Sequence, residues 1–127
     1  MKLLRILLPS ILLFVSMPSG AHHSFVVHFV DDELVTVKGV VTSFRFTNPH
    51  GVLLFQATDE DGNQIQWRAE TNSPNALRRR GWARDSLKVG DEVTITGFPA
   101  RNEDHYMRIS IVRFEDGREL RAQAKAD

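Results

Sequence analysis

The chain has 127 residues, with 16 basic and 16 acidic side chains and no cysteine. The absence of cysteine excludes disulfides, cysteine-ligated metal centres and thiol catalysis. Two of the basic residues belong to the signal peptide described next, so the remainder carries a formal charge of about −2. Because nucleic-acid binding needs a clear basic excess, this composition argues against a nucleic-acid partner.

The first 21 residues have the three parts of a cleavable secretory signal. Lys2 and Arg5 form a basic start, an apolar run covers 6–17, and the small residues Ser19 and Ala21 occupy the −3 and −1 positions. An uncleaved membrane anchor is the alternative, but the run is interrupted by a proline and is shorter than the about 20 apolar residues that a span needs. We therefore expect a periplasmic or secreted protein of 106 residues, free of the membrane after cleavage.

The first half of the mature chain reads as an arm followed by three strands. Residues 22–33 form the N-terminal arm, which ends in three acidic residues. The alternation of apolar residues in the first strand shifts at Gly39, which predicts a β-bulge and a sharp bend there. A turn separates the first two strands, and an acidic hairpin connection separates the next two. The three predicted strands are Leu34–Phe46, Val52–Thr58 and Gln64–Glu70.

The second half begins with helix signals and returns to strands. Ser73 is a suitable N-cap, a proline follows at the first helical position, and Gly81 suits the C-terminal end of a short helix over Asn75–Arg80. Alternation then predicts strands at Glu92–Phe98 and Tyr106–Phe114. Residues 122–127 are expected to form a flexible tail.

Three strands, a short helix and two further strands are the element order of the OB-fold, a five-stranded barrel. A long first strand bent at a glycine can serve both sides of such a barrel. A β-sandwich is the alternative, but it usually has seven or more strands. The sequence therefore predicts an all-β domain over 34–121, a five-stranded OB-like barrel with one short helix between strands three and four.

Five motifs resemble those of a family of uncharacterised exported bacterial proteins with a domain of unknown function. The similarity covers essentially the whole mature chain and implies a periplasmic barrel domain, without implying an activity. The chain differs at Gly51-Val52, where relatives tend to carry an aromatic residue, so an aromatic ligand platform there has no support. The motifs are His22-His23-Ser24-Phe25, Asn48-Pro49-His50, the segment 73–82 (Ser-Pro-Asn-Ala-Leu-Arg-Arg-Arg-Gly-Trp), the segment 87–100, and Asp116-Gly117-Arg118.

The histidines point to a metal site, since imidazole is the commonest metal-binding side chain. If cleavage leaves His22 at the N-terminus, its α-amine and ring Nδ1 can chelate one ion together. A third nitrogen from His50 or His23 would complete a nitrogen-rich set that suits Cu(II), and His28 is the next candidate ligand. The alternative is that these histidines bind no metal, and that His50 only holds its turn through a ring N–H. His105 is left out because it precedes the fifth strand in a loop.

A second group of candidate ligand-binding residues lies on and after the third strand, since OB-folds bind ligands over strands two and three. Trp67 also shares the parity of apolar neighbours, which favours a place in the core. Trp82 is expected to close one end of the barrel, and Asn75 could bond local backbone instead of ligand. The candidate ligand-binding residues are Trp67, Glu70, Asn72 and Asn75.

The basic run Arg78-Arg79-Arg80 could meet a phosphate-rich partner, but it also fits a solvated helix face. The sequence has no HExxH, phosphate-loop or dinucleotide motif and no glycine-flanked nucleophilic serine, so no catalytic residue is predicted. We therefore expect a non-enzymatic exported binding or accessory domain that acts on a periplasmic partner or small ligand and binds copper through its histidines. The alternatives are a copper-dependent redox enzyme using the same histidines, and a barrel-face module for a protein or cell-envelope ligand without metal.

Overall fold

The computed structural model describes residues 23–123. The predicted signal peptide, His22 and the side chain of His23 lie outside the described part, as do the last four residues of the predicted tail. The elements in chain order are α1 (His23–His28), β1 (Val35–Arg45), β2 (Val52–Thr58), β3 (Gln64–Glu70), α2 (Pro74–Arg78), β4 (Glu92–Pro99), β5 (Tyr106–Phe114) and β6 (Glu119–Arg121).

The first five strands close into a barrel, which confirms the predicted fold class and the helix between the third and fourth strands. Neighbouring strands pair in the order β3-β2-β1-β4-β5 with every contact antiparallel, and β3 then pairs with β5 in parallel to close the sheet. The short strand β6 adds to the free part of β5. The parallel pairing of β3 with β5, called the seam below, is the only parallel contact among the described strands.

The long strand β1 serves both sides of the barrel, as its length predicts. Its first half pairs with β4 and its second half with β2, and the change of partner falls at Val40. Gly39 lies close to β2, because a Cβ there would stand 2.5 Å from the carbonyl oxygen of Gln56. The bulge predicted at Gly39 is wrong in position, since the register shifts between Val41 and Ser43. The prediction treated Val40 as an inward residue, but this apolar side chain is 40% exposed and lies on the outer face of β1.

The core fills the barrel, and α2 with the following turn closes one end. Gly81 has φ 85° and its N–H donates to the carbonyl of Arg78, while the N–H of Trp82 donates to that of Leu77. These two bonds form the Schellman motif that the glycine predicts. Trp82 is 2% exposed and its Nε1–H donates to the Arg121 carbonyl at 2.9 Å, so it seals the barrel end as expected.

Three features were not predicted, namely α1, the short strand β6 and the packing of Ala122. The residue after α1, Phe29, forms a bridge with Ala100, which ties the N-terminal segment to the end of β4. Ala122 was placed in the tail, but it is buried and both its backbone groups are hydrogen-bonded, so the packed domain includes it. No helix among residues 23–123 is long and apolar enough to cross a membrane.

Candidate functional site

The outer face of the seam carries four polar side chains in register. Side chains alternate between the two faces of a strand, so the inward Ala69 and Met107, both fully buried, leave their neighbours pointing outward. The parallel register then pairs residues directly across the seam. The two outward pairs are Arg68 with Tyr106 and Glu70 with Arg108.

The N-terminal segment covers this outer face with aromatic rings. Phe29 is 4% exposed, and its ring centroid lies 5.2 Å from that of Tyr106. Phe25, one helical turn earlier, packs against Phe29 and edge-on against Phe98, each at 5.5 Å between centroids. The carbonyl of His28 accepts the Arg101 N–H at 2.9 Å, which fixes the end of α1. This packing is what brings His28 to the seam.

His50 reaches the same place from the turn before β2. Because β2 and β3 are antiparallel and Val52 pairs with Glu70, the residues just before β2 lie beside the residues just after β3. The ring Nδ1 of His50 lies 3.0 Å from the carbonyl oxygen of Thr71. The preceding Asn48-Pro49 peptide bond is cis.

Together these elements enclose a cavity of about 480 Å³, called the seam cavity. Its charged side chains are Arg68 and Arg108, balanced by Glu70 and Glu103. Arg68 donates to Glu103 at 2.9 Å, and Arg108 lies 3.7 Å from a Glu70 oxygen. The cavity is therefore polar but close to neutral. Its lining consists of Phe25, His28, Phe29, His50, Arg68, Glu70, Glu103, Tyr106 and Arg108.

Arg108 is the most buried charge of the seam cavity, at 9% exposure. Burial lowers its pKa, and the charge of Glu70 acts in the opposite direction. It also donates a hydrogen bond to Asn72, whose own amide donates to the Ala122 carbonyl. Burial raises the pKa of Tyr106, as does its hydrogen bond to Glu70. The Nε atoms of Arg68 and Arg108 are buried without a hydrogen-bond partner, so the polar network has unused donors.

The ring nitrogen Nδ1 of His50 has two contacts that cannot both be hydrogen bonds at the same time. Arg108 Nη1 lies 3.0 Å from Nδ1, the same nitrogen that faces the Thr71 carbonyl. Nδ1 must carry the proton to donate to Thr71, and must lack it to accept from Arg108. The first arrangement leaves Nε2 with a free lone pair, and the second places the proton on Nε2. The ring therefore has two tautomers, each with a partner at Nδ1.

The structure places the predicted site residues in three locations. His28, His50 and Glu70 line the seam cavity, and Asn72 contacts it through Arg108. Trp67 faces the barrel interior, stacked on Phe55 at 6.1 Å and edge-on to His105. Asn75 lies on α2 and accepts from Arg78.

No group of three or more histidine, aspartate or glutamate side chains among residues 23–123 is arranged to hold a metal ion. The described histidines would therefore need further ligands, and the predicted ones are His22 and His23. Sequence reasoning missed Arg68, Tyr106 and Arg108 as site residues. Their strands show outward polar positions, but only the register across the seam makes them neighbours.

Comparison with curated proteins finds no match. A family of unknown function, DUF6152, matches residues 11–107, which are 97 of the 127 residues. The matched range includes α1, the His50 turn and β3, and it ends one residue before Arg108. With three quarters of its length matched, the chain belongs to the DUF6152 family.

Proposed function

We propose that this protein is an exported binding domain that holds a transition-metal ion, copper above all, between its N-terminal histidines and the seam cavity. The observation that carries the proposal is that His28 and His50, 22 residues apart in the chain, line one cavity. The segment leading into that cavity begins at the predicted mature N-terminus. Cleavage after Ala21 would thus leave the α-amine of His22 and the imidazoles of His22 and His23 at the N-terminal start of this segment.

The orientation of His50 supports a ligand role. Metal-binding histidines commonly donate their other ring N–H to a backbone carbonyl or a carboxylate, which fixes the tautomer. The Thr71 carbonyl can accept that bond from Nδ1, and Nε2 is then unprotonated. In this state Arg108 loses its contact with Nδ1 and keeps those with Asn72 and Glu70.

The electrostatics of the seam cavity also tolerate a cation. Each arginine there is matched by a carboxylate, so the lining carries no excess positive charge to oppose a metal ion. Neutral imidazole and amine nitrogens favour copper over calcium or magnesium, which prefer oxygen ligands. The reference pKa of an α-amine, about 7.7–8.0, allows a metal to displace its proton near neutral pH.

The test begins with the processed protein. The chain is expressed with its signal, mass spectrometry identifies the N-terminal residue, and Cu(II) and Zn(II) are titrated by calorimetry. We expect one Cu(II) per chain, with His22→Ala and His50→Ala each weakening the affinity at least tenfold. His28→Ala tests the second cavity histidine. A form with one glycine added before His22 keeps every imidazole but moves the amine, and should lose the chelate.

His105→Asn is the matched control, because the His105 ring packs on Trp67 and does not line the seam cavity, and its φ of 55° is one that asparagine tolerates. This variant should bind copper as the unaltered protein does. Equal copper affinity in the unaltered protein, His22→Ala and His50→Ala would refute the metal site. A mature N-terminus other than His22 would refute the amine chelate, even where some metal binds.

A further inference from the structure

A second cavity, of about 620 Å³, lies at the barrel end where β1 leaves the sheet and α2 begins. Three arginines line it, Arg45 at the end of β1, Arg78 at the end of α2, and Arg84. Phe44 and Phe46 also line it. We call it the arginine cavity. It shares no lining residue with the seam cavity.

The three arginines of this cavity have no carboxylate partner among residues 23–123. Among residues 23–123, six arginines form ion pairs, and all six lie outside the arginine cavity. Arg45, Arg78 and Arg84 form no ion pair in this part of the chain, and no aspartate or glutamate lines the cavity. Like charges gathered without counter-charge repel one another, and a bound anion would remove that repulsion.

The cavity also offers apolar contact area. Phe46 is buried, whereas Phe44 is only half-buried and packs against Phe46 and Trp82 at 6.0 Å between centroids. The Arg78 guanidinium lies 5.3 Å from the Phe46 ring centroid, a cation–π contact. A ligand seated here would therefore touch charged groups and an aromatic surface together. The cavity volume falls within the range of small-molecule sites, about 300–1,000 Å³.

We infer that the arginine cavity binds a small organic anion, with a carboxylate or phosphate group held by the arginines and an apolar body against Phe44. Guanidinium groups suit both head groups, because their planar N–H donors form paired hydrogen bonds with carboxylate and phosphate oxygens. The site is independent of the metal proposal, since neither its residues nor its chemistry involves the histidines.

Calorimetric titration with phenyl phosphate, benzoate, inorganic phosphate and benzyl alcohol tests this inference. We expect phenyl phosphate or benzoate to bind one per chain, at least tenfold more tightly than either inorganic phosphate or benzyl alcohol. Arg45→Gln and Arg84→Gln should each weaken that binding about tenfold, in line with the loss of a charge-assisted hydrogen bond. Both side chains are exposed, so both variants should fold normally.

Arg79→Gln is the matched control, because Arg79 is an exposed arginine next to Arg78 that does not line the cavity. It removes the same charge and should change the affinity by less than twofold. Phe44→Leu keeps the core filled and should weaken phenyl phosphate but not inorganic phosphate. The inference fails if neither aromatic anion binds, if inorganic phosphate binds as tightly, or if Arg79→Gln weakens binding as much as Arg45→Gln.

Discussion

Glu70→Gln tests whether the seam network stabilises the barrel. Glu70 is the counter-charge of Arg108, and the two side chains are 24% and 11% exposed. The substitution keeps the size of the side chain and an oxygen that can accept from Tyr106, but it removes the negative charge. Arg108 is then left as a nearly buried cation without a carboxylate partner.

The expected loss lies between the limits for exposed and buried ion pairs. Exposed pairs contribute about 0–1 kcal/mol, and removing one partner of a fully buried pair costs about 3–5 kcal/mol. Because the Arg108–Glu70 separation is 3.7 Å and both groups keep some contact with solvent, we expect a loss of about 2 kcal/mol. In urea denaturation this appears as a lower midpoint with an unchanged slope.

Glu103→Gln is the control, since it breaks the Arg68–Glu103 pair, whose side chains are 42% and 54% exposed. It should cost less than about 0.5 kcal/mol. Adding Arg108→Met to Glu70→Gln should cost less than the sum of the two single variants, because no unpaired charge remains. If Glu70→Gln lowers the midpoint no more than Glu103→Gln does, the seam network does not stabilise the fold as argued.

Two further predictions concern packing and pH. Gly39→Ala should lower the free energy of unfolding by about 1–3 kcal/mol, because its Cβ would meet the Gln56 backbone carbonyl at 2.5 Å and backbone cannot rotate away; an unchanged melting temperature would contradict this. Burial and the hydrogen bond to Glu70 raise the pKa of Tyr106, so above pH 10.0 the folded state keeps a proton that the unfolded chain loses. For one proton the free energy of unfolding should then fall by at most about 1.4 kcal/mol per pH unit. Partial solvation of the ring should make the observed fall smaller than this limit. The fall should be smaller still in Tyr106→Phe, which has no phenol to titrate. Parallel alkaline stability curves for the two proteins would refute the assignment.

Local patterns along the chain were sufficient to predict the five strands of the barrel. The predicted bounds of β2, β3 and β5 are those observed, β1 and β4 differ by one residue at their ends, and β6 was not predicted. Gly81 correctly predicted the turn that follows α2, because few residues other than glycine adopt positive φ, but α2 covers Pro74–Arg78 where Asn75–Arg80 was predicted. The bulge was misplaced because an exposed apolar residue, Val40, carries the same signal as a buried one. Parity alone does not reveal which face of a strand is inside.

The two cavities show the limits of sequence reasoning more clearly. The histidine pattern pointed to His28 and His50, and these do line one cavity. Nothing in the sequence indicated that Arg108 would lie between His50 and Glu70, because that depends on the register of β3 and β5, whose paired residues are 38 positions apart in the chain. The run of three arginines drew attention to α2, yet only Arg78 of that run lines the arginine cavity.

The sequence by itself determined a signal-like N-terminal pattern, the order of the barrel strands and α2 along the chain, the long first strand and the turn at Gly81. Each of these rests on residues that are neighbours in the chain. Only the tertiary structure decided which side chains meet where β3 and β5 close the barrel. Parallel pairing of β3 with β5 sets two polar pairs side by side, and packing of Phe25 and Phe29 over them carries His28 to the same place. Such contacts join segments far apart in the chain, so their energies depend on the closed barrel and leave no periodic signal along the sequence.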